Sequence, residues 1–433
     1  MAHVQPLRGV RYDTARLTLA DVVSPPYDVV SPAEAQAYRR RSPYNAVHID
    51  MPLSEGGDPA DCYAHAASLF AQWQHDGVLV RDKEPAFYLL DETYHGPDGY
   101  ERSRRGFIGR LRLEDRDAGV VLPHEKTNTA PKADRLSLLR AAHANFSPIF
   151  MVYPDDRGEI GAALAAAEAA ANDAVAVTDD NGTRHRLTPV RGAPAQRIAA
   201  LLEAEKLFIA DGHHRYETAL AYRDERRAAG DHSADHVLVY LCSMTDPGLT
   251  IFPTHRLLKG VEIPPMEKVI ERLRPTFEVF PERGADSGAC QLMVDHLHSF
   301  ADHGKVFGLY FPREQSCVTV ELRDLAAVAH LVDEGFSEEA TRLSVTVLHY
   351  LILRDGLGLD PGAMEGKIDY VTSPAQAFRL LGQGDYVLGA FINATLMSEV
   401  RTIAERHETL PQKSTYFYPK PPTGLVFALM DNE

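Results

Sequence analysis

Short apolar runs, each ended by turn residues, dominate the pattern of this chain. Leu207-Phe208-Ile209-Ala210 is continuously apolar, as a buried strand requires. Asp211-Gly212 then predicts a sharp turn. From His214 the period changes, with Tyr216, Ala219, Leu220 and Arg223 at the i, i+3, i+4, i+7 spacing of a helix. Elsewhere strands are expected over 86–90, 104–111, 147–153 and 386–392, with helices over about 58–76, 133–144, 160–171, 194–205 and 397–407. Ser31, Pro32 and Glu34 open a helix by capping. Ala46-Val47-His48-Ile49 reads as a strand, Glu338 to Leu353 as one apolar helix, and 236–244 as pairing with 249–253 across Asp246-Pro247-Gly248. Asp180-Asn181-Gly182 marks a hairpin.

Composition adds bounds. The 433 residues suffice for two or three domains, and 45% hydrophobic with 24% charged is ordinary globular usage. No apolar run approaches the ~18 residues of a membrane helix, and 1–6 lack a signal-peptide pattern. Cys62, Cys242, Cys290 and Cys317 are widely spaced without a CxxC, which fits reduced core thiols and a cytoplasmic protein. The net charge of -16 argues against nucleic acid as a partner.

Candidate chemistry concentrates at five places. At Asp211-Gly212-His213-His214-Arg215, a strand hands over to a helix whose free N–H groups and positive end favour phosphate. Gly212 permits close backbone approach, Arg215 offers a planar fork of donors, and His213 or His214 can donate or shuttle a proton. Asp211 could hold Mg²⁺ or orient a histidine. Glu125-Lys126-Thr127 offers a base beside a cation and a hydroxyl. His255-Arg256 ends a strand and could face the same phosphate or nucleotide pocket, Lys413-Ser414 suits phosphate or nucleotide, and Tyr27-Asp28 sits on a rigid proline loop that could meet a substrate. Each has a bland alternative: helix capping, a solvated loop, or packing of the aromatic run that follows Thr415. Zinc on His124, His213, His214 and His255 is disfavoured, because adjacent histidines diverge and no Cys pairs or His-Glu-x-x-His are present. Neither a P-loop nor a Rossmann glycine pattern occurs.

The order Leu122-Pro123-His124-Glu125, Arg135 and Leu138, Pro148-Ile149, then Ile209-Ala210-Asp211-Gly212-His213-His214-Arg215 resembles the ParB/sulfiredoxin-like superfamily, in particular its free-serine kinases. That resemblance implies an α/β (α+β) fold: a core over 101–258 with an insertion near 155–200, flanked by α/β segments 1–100 and 259–433. It also implies Glu125 as catalytic base and 211–215 as the phosphate site. Over nearly its whole length the chain resembles a widespread microbial family known only as a domain of unknown function. The marks are Pro25-Pro26-Tyr27-Asp28-Val29, 122–127, 211–216, Pro253-Thr254-His255-Arg256 and 411–420.

The expected function is phosphotransfer to serine or a serine-like molecule, with ADP or ATP as co-substrate and Mg²⁺ bridging phosphate oxygens. The alternatives are a phosphate-ester hydrolase of phosphoserine type and a non-enzymatic nucleotide-binding regulator. The expected partners are a small-molecule substrate and a nucleotide, without membrane. The substrate, the reaction direction and the oligomeric state stay open from sequence.

Overall fold

The computed structural model describes residues 1–53, 59–96, 99–125, 129–171, 173–282, 287–300, 305–364, 366–411 and 413–431. The chain forms two compact units. The first comprises Met1–Pro123, Thr127–Thr250 and Pro419–Glu433; the second comprises His124–Lys126 and Ile251–Tyr418.

The first unit is built on a nine-stranded mixed sheet. Its order is Val121–Leu122, Leu207–Asp211, Ile149–Tyr153, His236–Ser243, Glu101–Arg112, Ala86–His95, Arg184–Arg191 and Val175–Thr178, with Val4–Gln5 paired to Glu101–Arg112. Phe87, Tyr88, Leu89 and Leu90 are all fully buried, so this sheet is covered on both faces, as the unbroken apolar runs require. The helices Glu159–Ala169 and Gly192–Leu202 bring Ile160, Leu164, Ile198 and Leu202 into one core with Phe87, Phe107 and Met151. A second cluster joins Tyr12, Phe70, Trp73, Phe146 and Phe427.

Residues 419–431 are stitched into this unit at several points. Val10 and Phe427 exchange two backbone hydrogen bonds, Ser24 bridges Thr423, and Ala428–Leu429 pairs with Ala144–Asn145.

A charged network centred on the fully buried Glu92 lies in the same sheet. Glu92 accepts from Arg104 Nε at 3.0 Å and from the Tyr240 hydroxyl at 2.8 Å. His185 stands between two acids, Nδ1 at 3.3 Å from Glu92 Oε1 and Nε2 at 3.1 Å from Asp179 Oδ2. Arg104 also donates to the Pro419 carbonyl at 2.6 Å.

Local signals are obeyed at the helix Pro32–Arg41. Ser31 Oγ accepts from the Glu34 amide, and Glu34 Oε2 accepts from the Ser31 amide at 2.8 Å, a reciprocal cap with Pro32 in the first turn. Three expectations fail. Val47–Asp50 is a helical turn, not a strand. Asn45 decides this: its Oδ1 accepts from the Val47 amide, and its Nδ2 donates to the carbonyls of Asp21 and Val23. His236–Ser243 does not pair with 249–253. It is an interior strand with both edges taken, by Ile149–Tyr153 and Glu101–Arg112. Residues Glu338 to Leu353 do not form one helix. They give Glu338–Thr341, Ser344–Val347 and a π-helix Leu348–Gly356.

The second unit holds a six-stranded antiparallel sheet: Phe277–Glu282, Ser316–Leu322, Val306–Phe311, Leu388–Ile392, His255–Leu258 and Ile368–Val371. Its main core gathers Phe277, Phe307, Leu309, Val320, Leu348 and Ile352. No helix among the described residues is long and apolar enough to cross a membrane.

Candidate functional site

In the first unit, the corner at 211–215 starts from a pairing irregularity. Ile209 faces Met151 but Asp211 faces Phe150, so the register shifts across Ala210. Such a bulge re-aims the side chain that follows it, here Asp211. Gly212 then adopts φ +94°, and the helix His213–Ala228 begins without any side-chain cap among the described residues. A Cβ on Gly212 would stand 3.0 Å from Arg215 Nε, so glycine serves both the turn and the close approach of the guanidinium.

Charges of both signs fill this corner. Arg215 donates to Asp211 Oδ2 at 2.6 Å and to the Pro148 carbonyl. Lys420 Nζ reaches Asp211 Oδ1 at 2.6 Å and also pairs with Asp28. Arg135 holds Asp50 at 3.1 Å, and Thr423 donates to the other Asp50 oxygen at 3.2 Å. The Tyr27 ring lies 4.2 Å from the Arg135 guanidinium carbon and 5.9 Å from that of Arg215.

Burial acts on Asp50, Tyr27 and Lys420. It raises the Asp50 carboxyl, with Arg135 and Arg215 opposing, and it raises the Tyr27 phenol. Burial alone would weaken the Lys420 ammonium, but Asp211 and Asp28 outweigh it and hold the charge. Arg215 Nε is buried with no acceptor among the described residues. Beside it, a cavity of about 40 Å³ is lined by Asp50, Arg135, Asn145, Ser147, Arg215 and Thr218, room for two or three waters.

The expected Mg²⁺ on Asp211 does not fit this donor set. Both carboxylate oxygens already face cations, Arg215 and Lys420, whereas Mg²⁺ needs oxygen ligands in near-octahedral array. Among the described residues, no group of three or more His, Cys, Asp or Glu is arranged for a metal.

A separate cluster in the second unit surrounds Glu125. Glu125 Oε1 accepts from the Lys413 amide at 3.2 Å. The Lys413 carbonyl in turn accepts from the Thr254 hydroxyl and, at 3.5 Å, from Arg256 Nη2. His124 is buried, with Nε2 3.0 Å from Thr415 Oγ1, and its carbonyl accepts from the Leu410 amide at 2.7 Å.

The sequence-derived candidates therefore divide. Tyr27, Asp28, Asp211, Gly212 and Arg215 come together in the first unit, with His213 buried and His214 half-buried on the first helical turn. Glu125, Arg256 and Lys413 come together in the second. Ser414 is buried and donates to the Pro411 carbonyl. His255 and Arg256 do not act side by side. Strand alternation sends them to opposite faces, and His255 packs 5.0 Å from the Phe391 ring with Nδ1 accepting from the Ile392 amide. Lys126 and Thr127 lie outside the described residues. Asp50, Arg135, Lys420 and Thr423 were not among the candidates. A cation inside Tyr418-Pro419-Lys420-Pro421-Pro422 was the signal available for Lys420; Asp50 had none.

The fold is thus mixed α/β, with a strand-to-helix corner carrying paired charges. A family model described as "Protein of unknown function (DUF1015)" matches residues 4–346, and the chain belongs to that family. No curated protein matches it. Among solved structures, a conserved hypothetical protein from Pyrococcus furiosus is 15% identical, covering 74% of this chain and 95% of its own, at a TM-score of 0.35. A free serine kinase in complex with AMP is 14% identical, with 74% and 91% covered, at 0.36. SbnI with a C-terminal truncation, from Staphylococcus aureus, is 11% identical, with 74% and 87% covered, at 0.35.

Proposed function

We propose that this chain is a phosphotransfer enzyme that takes ADP or ATP and a small hydroxylated substrate, serine or serine-like. The phosphate lies at the 211–215 corner, and Glu125 serves as base. A substrate hydroxyl oxygen forms the new bond to phosphorus, and the bond to the nucleotide oxygen breaks. The nucleotide keeps that electron pair, and Glu125 takes the hydroxyl proton.

The observation that carries the reading is the buried Arg215 Nε–H, which has no acceptor among the described residues, beside a left-handed glycine and a helix start that none of them caps. Buried donors are normally satisfied, and a phosphate oxygen satisfies this one. The motif resemblance at 122–125 and 209–215 supports the same reading.

Arg215→Lys is the direct test, because it keeps the charge beside Asp211 but loses the fork. Nucleotide affinity, measured by titration calorimetry on the full chain, is expected to fall roughly 10–100-fold, the worth of one charge-assisted hydrogen bond. Unchanged affinity would remove the phosphate from this corner. Incubation with serine and ATP or ADP should yield phosphoserine; release of inorganic phosphate from phosphoserine without nucleotide would favour the hydrolase instead.

A further inference from the structure

Arg256 is an exception among the buried arginines. Arg104, Arg135 and Arg223 are each paired with a carboxylate, those of Glu92, Asp50 and Asp115. Arg256 is completely buried and, among the described residues, has no carboxylate partner. Its contacts are the Thr254 carbonyl, the Thr254 hydroxyl at 3.0 Å and the Lys413 carbonyl at 3.5 Å. Its Nε–H has no acceptor among those residues.

Its cross-strand partner adds no formal charge. Tyr370 stands directly opposite on the adjacent strand, its ring 5.5 Å from the guanidinium carbon. Arg256 also acts on His349, whose Nε2 is likewise buried without a partner among the described residues. Burial, reinforced by Arg256, pushes that imidazole down to about 3, so it is neutral. His349 belongs to the π-helix Leu348–Gly356, a geometry that gathers at functional sites.

A buried charge is retained when it is paired or hydrogen-bonded to a ligand. Here two unsatisfied nitrogens, one of them cationic, occupy one neighbourhood of the second unit. We propose that the second unit binds the carboxylate or phosphate group of a small molecule directly on the Arg256 guanidinium. The planar fork suits either oxyanion. The cover over Arg256 is thin. Tyr370 is 37% exposed, and Lys413 is an exposed residue in the left-handed conformation, φ +57°. That turn costs backbone strain, and it is held by the carbonyl contacts an incoming oxyanion would replace. The site extends toward Glu125, whose charge acts on the Tyr370 phenol together with that of Arg256.

The inference does not rest on phosphate binding at 211–215, and the test separates the two. Thermal unfolding of the full chain is followed in phosphate, sulfate or acetate against chloride at equal ionic strength. The wild-type midpoint is expected to rise by roughly 2–4 °C with at least one oxyanion at about ten times its Kd. Arg256→Met, which removes an uncompensated buried charge, should match or exceed the wild-type midpoint without oxyanion and lose the share of the shift that Arg215→Lys keeps. Arg215→Lys should keep the shift. Arg256→Lys, read by the line width of inorganic phosphate in ³¹P spectra or of acetate in ¹H spectra, should lose the broadening. A wild type without any oxyanion shift, a shift that keeps its full wild-type size in both Arg256 variants, or a shift lost only in Arg215→Lys would overturn the proposal. The phosphate and acetate arms distinguish the two ligand classes.

Discussion

Glu125→Gln lowers turnover by roughly 10²–10⁴-fold, the range lost with a general base, and leaves nucleotide affinity within about twofold. The geometry makes the substitution selective. Glu125 Oε1 accepts the Lys413 amide hydrogen, and the glutamine carbonyl oxygen accepts it equally well. The turn at 413, the His124–Leu410 backbone bond and the His124–Thr415 contact do not depend on the second carboxylate oxygen. Proton acceptance is removed while this contact is kept. Single-turnover kinetics beside calorimetric nucleotide titration reads the two effects separately. Normal turnover in the variant excludes Glu125 as base, whatever the fate of the phosphate site.

The second large effect is on stability. Glu92→Leu destabilises the first unit by about 3–5 kcal/mol, because Arg104 and His185 are left buried without their shared carboxylate. Replacing Arg104 by Met as well recovers part of that loss, since a whole buried pair costs less to replace than half of one. Trp73, the chain's sole tryptophan, is buried in this unit and reports its unfolding in urea. The pH dependence has a definite sign. Burial alone would keep His185 neutral, but Asp179 and Glu92 outweigh it and raise it to about 9. A raised folded value stabilises below the unfolded value of about 6.5 and is lost as pH rises through about 9. Wild-type stability should therefore decline between about pH 7 and 9.5, and Glu92→Leu should flatten that decline. An unchanged slope would remove His185 from the network.

The parts of this molecule that the sequence exposes are those written locally. The apolar run at 207–210, the glycine at 212 and the helical period after it suffice for the corner, as Ser31 and Glu34 suffice for their cap. The partners of that corner are not written locally. Arg135 reaches Asp50 across 85 positions, and Lys420 reaches Asp28 across 392, separations that leave no period to read. Val47–Asp50 was misread because four apolar-rich residues carry too little periodicity, and the deciding contacts of Asn45 run to Asp21 and Val23. His255-Arg256 was a different failure. The two residues open the strand His255–Leu258 instead of ending one, and its alternation sends the two side chains apart. The absence of a carboxylate at Arg256 is a property of the folded surroundings, and no motif encodes it.

The stitching of residues 419–431 into the first unit bears on the order of folding during synthesis. Domains ordinarily mature from the N-terminal side as the ribosome emits them. Here Asp28 and Asp211 leave the ribosome long before Lys420, and Val10 long before Phe427. Residues 251–418 can fold in the interval as a closed excursion of the chain. The entropic cost of the late closure grows only with the logarithm of the excursion's length. The unit encoded first is thus completed last, and its acidic corner waits for its final cation until translation has passed position 420.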